Sequence, residues 1–307
     1  MKTDRNELIG TLLVLAGGMC AGMTGTLQAF APEGATPQTF GAARTVAAGI
    51  ILSVWTLSRS GMGFFRQDWN WKGIVLSALG FAAYQMTFFS SVKFIGVAVG
   101  TMIAVGASPV IAGILGRLVF GEHLTKRWYA ATALAIAGCP LLALGGGASS
   151  TGAVSLAGIA LALGASLSYA FEGLGLKLAG KCDPFATVTA VYSLSGIFCL
   201  PWLILGDTTW MWRPRGIVVI ILLALVCTVC SKFCFTSGLR RISFGKAYTL
   251  SLSEPVMAWA LATVLLGERL SLSGVLGAAL LFGGIILLAC ENKGGRQEKA
   301  EQPPQIG

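Results

Sequence analysis

The sequence predicts an all-α integral membrane protein with ten transmembrane helices arranged as two inverted five-helix repeats. Three observations carry this. The 307 residues are 55% hydrophobic and only 11% charged, with a mean hydropathy of +0.76; soluble domains carry about 25% charged residues. Ten apolar runs, each about 20 residues long, fill nearly the whole chain, and one such run suffices to cross a bilayer as a helix. The two halves of the chain also match each other. Disorder is excluded, because disordered chains are polar and highly charged.

The expected spans are 8–30, 39–57, 73–91, 97–120, 128–145, 156–179, 185–206, 215–237, 244–266 and 272–290. Helices are required because lipid offers the backbone no hydrogen-bond partners. Strand-like alternation of a barrel is absent. The first run has a rival reading as a cleaved leader, with Lys2 and Arg5 before it and Ala29-Phe30-Ala31 after it. Its length and its glycines (Gly17, Gly18, Gly22, Gly25) fit a packed membrane helix better. The loops are too short for a soluble domain. The charged stretch 291–307, ending in Pro303-Pro304 and a few further residues, is expected to be a disordered cytoplasmic tail.

Lys and Arg of the loops and segment ends divide 16 to 4 between the two sides, the minority being Lys93, Arg213, Arg215 and Arg269. The side rich in basic residues faces the cytoplasm, so both termini are expected there and an inner (plasma) membrane is expected around the chain. The net charge of +9 is thus topological; no nucleic-acid partner is expected. Seven of the eight cysteines lie within or at the edge of apolar runs. Cys227-x2-Cys230-x3-Cys234 lacks a His or carboxylate partner and reads as apolar packing, so no metal site is expected. Trp55, Trp69, Trp71, Trp202, Trp210 and Trp212 stand near segment ends as interfacial belt residues.

A shift of 146 residues superposes the halves. Pro109-Val110 meets Pro255-Val256, Gly121-Glu122-His123-Leu124 meets Gly267-Glu268-Arg269-Leu270, and Leu141-Leu142-Ala143 meets Leu287-Leu288-Ala289. With a one-residue adjustment upstream, Gln85 meets Lys232 and Lys93 meets Arg240. Five spans per half is an odd number, so the second half must enter from the opposite side. The expected domains are 1–147, 148–290 and the tail 291–307. Inverted repeats allow exchange between outward- and inward-open states around a midplane site.

These features resemble the drug/metabolite transporter superfamily, and in particular its ten-helix EamA-type exporters. The resemblance rests on the ten-span layout, the repeat, the two Pro…Gly-Glu-x-Leu copies, Glu254-Pro255 and Phe40-Gly41-Ala42-Ala43-Arg44. It implies a basket of two five-helix halves around a central cavity, lined chiefly by the first, third, fourth, sixth, eighth and ninth helices. It does not name a substrate. Ser108, where the second half has Glu254, breaks the internal symmetry, and Glu172 and Lys232 are unusual for the family.

An ionisable group inside a span costs about 2.5–3.5 kcal/mol on insertion scales, so it should face a cavity or a partner. Glu254 lies near mid-depth, directly before Pro255, and is a candidate for substrate or proton binding. Glu172 and Lys232 lie at comparable depths. They are expected either as a cavity pair or as a permanent structural pair, with Lys232 snorkelling to the interface as a third reading. Tyr84, Gln85, Tyr169 and Gln28 add aromatic and hydrogen-bonding surface, with Phe88 beside them. Pro109 and Pro255 are expected as matched helix hinges. Arg44 is expected near the outer interface, anchored there or paired with Glu33, with substrate contact as the alternative reading. Glu122 and Glu268 are expected to bond backbone or basic residues of the turn that follows each of them.

Enzyme chemistry finds no support. His123 is the single histidine, and Gly145-Gly146-Gly147 lacks the lysine of a phosphate loop. No cofactor is expected. The functional expectation is a gradient-driven transporter exporting a small metabolite such as an amino acid by alternating access, with protons as a candidate coupling ion, as a monomer or homodimer. The rivals are a multidrug or organic-cation exporter and a non-transporting membrane regulatory subunit.

Overall fold

A computed structural model describes residues 2–145, 155–180, 182–265 and 271–289. The second Gly-Glu-x-Leu copy with Glu268, Cys290 and the tail 291–307 lie outside them. Among the described residues all regular structure is helical.

The helices are α1 (Lys2–Ala29), α2 (Pro37–Ser60), α3 (Trp71–Gly106), α4 (Ser108–Phe120), α5 (Lys126–Gly145), α6 (Leu156–Leu178), α7 (Pro184–Leu205), α8 (Pro214–Leu222), α9 (Ser231–Leu239), α10 (Phe244–Leu250), α11 (Ser253–Leu265) and α12 (Leu272–Ala289). Their starts are written locally. Thr36 before Pro37, Asn70 before Trp71 and Asp183 before Pro184 each accept an amide of the next turn, which satisfies N–H groups left without helical partners. Asp207, in the turn after α7, accepts the amide and hydroxyl of Thr209, and these bonds hold its carboxyl below the usual carboxylate range.

Among the described residues, eight helices are long and apolar enough to cross a membrane, and they coincide with eight of the ten expected spans. The other two expected spans are also helical. One is α5; the other is broken, α10 and α11 meeting at Ser251-Leu252. The α3 run is not straight. A Cβ at Gly100 would lie 3.2 Å from Ser91 Oγ and 3.7 Å from Val92 Cα, whereas nine residues of straight helix rise about 13 Å. The chain therefore doubles back there, leaving Trp71–Val92 and Ile103–Phe120 as two separate candidate spans.

The helices pack mainly across the middle of the sequence. The largest interfaces join α3 to α6, α5 to α12, α2 to α7, α1 to α9 and α11, and α4 to α10. In lipid, close backbone approach replaces the hydrophobic drive as the source of association. Glycines make it possible: a Cβ at Gly175 of α6 would fall on the Gly73 carbonyl and the Ser77 amide of α3. Gly175→Ala is therefore expected to destabilise the protein by about 1–3 kcal/mol through overpacking, read as a lowered midpoint of thermal unfolding in detergent. Large apolar side chains such as Leu118, Ile204 and Leu205 point outward, as a lipid-facing surface requires.

One end of the bundle gathers Glu7, Asn70, Glu122, Lys177, Cys182 and Arg240, linked by bonds among their segments. The opposite end gathers the α1–α2 turn and the α7–α8 connection, where Gly206 lies against Thr39 and Trp210 stacks on Phe40. Trp210 is fully buried there. It is a core residue and not the belt residue its position near a segment end implied. Trp55, Trp71 and Trp212 are exposed, as belt residues are.

Candidate functional site

Two neighbouring cavities that share part of their lining occupy the centre. The smaller, about 50 Å³, is bordered by Gly18 of α1, Arg44 of α2, Tyr84 of α3, Tyr169 of α6, Lys232 of α9 and Glu254 of α11, among others. The larger, about 230 Å³, shares Arg44, Tyr84 and Glu254 and extends past Gln85, Phe88 and Phe89 to Gln28 and Pro37. The space thus runs from mid-depth toward the end that carries the α1–α2 turn.

Glycines on α1 shape one wall. A Cβ at Gly22 would press on the Glu254 carbonyl and approach Met257 Cβ to 2.8 Å. α1 can therefore lie flat against the start of α11, which brings Glu254 to the cavity. The helices that carry Pro109 and Pro255 both begin after a break. Ala107 interrupts the helix two residues before Pro109, and Ser251-Leu252 interrupts it just before Ser253-Glu254-Pro255. The missing N–H of proline favours a helix start at both places. The opposite wall has its own irregularity: Leu223–Cys230 forms a π-helix between α8 and α9, with Thr228 Oγ1 bonding the Leu223 carbonyl at 3.2 Å. Cys227 and Thr228 of this segment border the cavity, followed by Ser231 and Lys232 at the start of α9. Such bulges are frequent at functional sites.

Lys232 and Glu172 meet. Lys232 Nζ lies 2.8 Å from Glu172 Oε1, and Tyr192 donates its hydroxyl to the same oxygen. The rings of Phe81, Tyr169 and Tyr192 surround Nζ at 5.4, 5.2 and 5.9 Å, where ring faces attract a cation. Snorkelling of Lys232 is overturned, since its side chain is only 13% exposed. Glu172 is 1% exposed and stands behind Lys232, outside the residues lining either cavity. Its Oε2 has no partner among the described residues.

The other candidates divide between the cavities. Tyr84 stacks on Phe88 and lies tilted against Tyr169, with ring centroids 5.6 and 5.5 Å away. Gln85 and Gln28 border the larger space. Among the described residues, the Glu254 carboxylate has no hydrogen bond or ion pair, although it borders both spaces.

Arg44 is the principal correction. It borders both cavities and reaches Thr24 Oγ1 and Gln85 Oε1 at 3.5 Å each; it does not pair with Glu33. Its Nε is buried and unpartnered among the described residues. The second helix therefore lines the cavity together with the six that the resemblance implied. The signal was present in the sequence, because Phe40, Gly41 and Arg44 share one helical face. Glu122 is also placed differently. It bonds Lys177 and the Phe244 and Gly245 amides of a distant helix, and not the turn that follows it.

Residues 8–144 and 156–290 each match the model of the EamA-like transporter family. The chain belongs to the EamA-like transporter family. An uncharacterized transporter of Bacillus subtilis (strain 168), YwfM, is 39% identical over 296 residues, 95% of this chain and 97% of that protein. A Salmonella typhimurium (strain LT2) protein named "Probable amino-acid metabolite efflux pump" is 28% identical over 212 residues, 65% of this chain and 70% of that one. A crystal structure superposes with a TM-score of 0.77 at 17% identity, over 91% of this chain and 95% of the other; this likeness shows the fold alone. EamA membership makes the chain a multi-pass membrane transporter of a small molecule.

Proposed function

We propose that this EamA transporter exports a small polar metabolite, an amino acid in the first instance, by alternating access across the inner membrane. The observation that carries the reading is a central cavity with charges of both signs and unspent hydrogen-bonding capacity. Arg44 and Lys232 supply cationic groups, Glu254 a carboxylate, and Tyr84, Phe88 and Phe89 an aromatic wall. A zwitterion needs such a site, because each of its charges must be desolvated against an opposite one. The similarity to a protein named for amino-acid metabolite efflux points the same way.

The proposed layout is ten spans in two inverted repeats, 1–147 and 148–290, with both termini cytoplasmic. The packing pattern supports it. Exchanging spans one to five with six to ten turns the α3–α6 contact into the α9–α1 contact, and the α1–α11 contact into the α6–α4 contact, while α2–α7, α5–α12 and α4–α10 map onto themselves. All of these contacts are present. The proposed cycle swaps the conformations of the halves, with Pro109 and Pro255 as the bends. Glu254 holds the cationic end of the substrate or a coupling proton. Lys232, backed by Glu172, contributes positive potential at the inner end of the cavity, and Gln28, Gln85, Tyr84 and Tyr169 complete the lining. The functional unit is a monomer or homodimer.

A metabolite comparison of cells with and without the protein tests the reading. Overproduction is expected to raise one or a few amino acids in the medium several-fold while lowering them inside; unchanged pools together with no flux in sealed vesicles would refute it. The aromatic wall beside Glu254 favours an organic cation as the second reading. Cations that block amino-acid flux competitively and are themselves moved would establish that one.

A further inference from the structure

Glu122 sits at the end of the bundle away from the cavity mouth. Gly121, in the left-handed conformation (φ 63°), closes α4 by bonding back to the Arg117 carbonyl, a turn that favours glycine. The chain direction then changes, and the Glu122 carboxylate lies across Gly116, where a Cβ would meet Oε2 at 2.7 Å. There it faces α10. The Phe244 amide donates to both carboxylate oxygens at 2.7 Å, and the Gly245 amide reaches Oε2 at 3.4 Å. Lys177, at the end of α6, lies 2.5 Å from Oε1 and also donates to the Ile242 carbonyl at 3.3 Å. The Phe120 ring lies 4.8 Å from Lys177 Nζ.

This is more than a local cap. The helix following Glu122 has its own cap, Thr125, which accepts the Trp128 amide at 3.1 Å. Lys126 and Arg127 follow closely in sequence, yet the partner chosen is Lys177. One carboxylate from the first half thus binds two elements of the second half. It does so at the end that the cavity does not reach, since the cavity extends from Lys232 toward Gln28 and Pro37. A second ion pair, Lys246 to Glu7 at 3.1 Å, lies at the same end. Opening that end requires α4 to part from α10 and α6, which takes the charge-assisted bonds of Glu122 with it.

We infer that Glu122 is an inter-half latch: its bonds to Lys177 and the start of α10 hold one end of the transporter closed and set how often that end opens. The inference rests on the alternating-access reading. It assigns Glu122 no contact with substrate, so its role is conformational.

Hydrogen exchange of the full chain in lipid nanodiscs, without added substrate, tests it. In Glu122→Gln, exchange over 231–239 and 240–250 is expected to rise at least about threefold, as the closed end opens more often. Over 36–44 and 206–213, at the opposite end, exchange is expected to slow, because alternating access closes one end as it opens the other. Lys177→Gln should act in the same direction more weakly, as the amide bonds of Glu122 remain; it carries the same two-ended criterion should Glu122→Gln not fold. Faster exchange confined to 244–246, or faster exchange at both ends, would overturn the latch. Failure of the transport reading is separate. A two-ended shift in a chain that moves no amino acid refutes that reading and keeps the latch, whereas flux without the shift refutes the latch alone.

Discussion

Lys232→Met is expected to destabilise the protein by about 3–5 kcal/mol, the cost of removing one partner from a buried ion pair. Glu172 is 1% exposed. Its Oε1 is held by Lys232 and Tyr192, and its Oε2 has no partner among the described residues. Without the ammonium, a carboxylate remains in a low-dielectric interior with one hydroxyl as its partner. The rings of Phe81, Tyr169 and Tyr192 also lose the cation they enclose, worth about 0.5–2 kcal/mol more at a desolvated site. The double change Lys232→Met with Glu172→Gln should recover at least half of the loss, since a neutral pair carries no unpaired charge. Thermal unfolding in detergent reads both. A single variant as stable as the wild type would mean that Lys232 and Glu172 do not pair in the folded protein.

Glu254→Gln is expected to separate function from stability. The carboxylate borders both cavities without an internal partner among the described residues, so little is lost internally when its charge goes. A charge in a span costs about 2.5–3.5 kcal/mol on insertion scales, offset in part here by the Arg44 and Lys232 charges that border the same cavity, so the variant should unfold close to the wild-type temperature. Substrate binding should suffer, because truncating one member of a desolvated charge pair costs about 2–5 kcal/mol, at least about a 30-fold loss of affinity. Function held at the expense of stability is a signature of binding sites.

Eight of the ten expected spans were legible because membrane thickness sets their length and lipid demands apolar side chains. Glu254 stood out as a carboxylate before a proline in an apolar run, and Glu172 and Lys232 as opposite charges at matching depth. What escaped the sequence was tertiary. Arg44, close to its segment start, read as interfacial because span edges are read poorly. α2 begins two residues earlier than expected, at Pro37, which puts Arg44 about 10 Å along the helix, and the cavity mouth lies beside that end. Trp210 obeys a belt pattern in sequence yet is buried against Phe40. The partners of Glu122 lie 55 and 122 residues away, a pairing no local spacing encodes. The π-helical segment at Leu223–Cys230 has no sequence mark at all.

The central claim is that a polar substrate occupies the Arg44–Glu254 cavity and is carried across. Counterflow in proteoliposomes addresses it most directly: vesicles loaded with a mixture of unlabelled amino acids are diluted into labelled ones, with wild type and Glu254→Gln compared at equal reconstitution. The account predicts saturable uptake of at least one labelled amino acid by the wild type and near-background uptake by the variant. Equal uptake by both proteins, or none by a folded wild type with any amino acid, would contradict it.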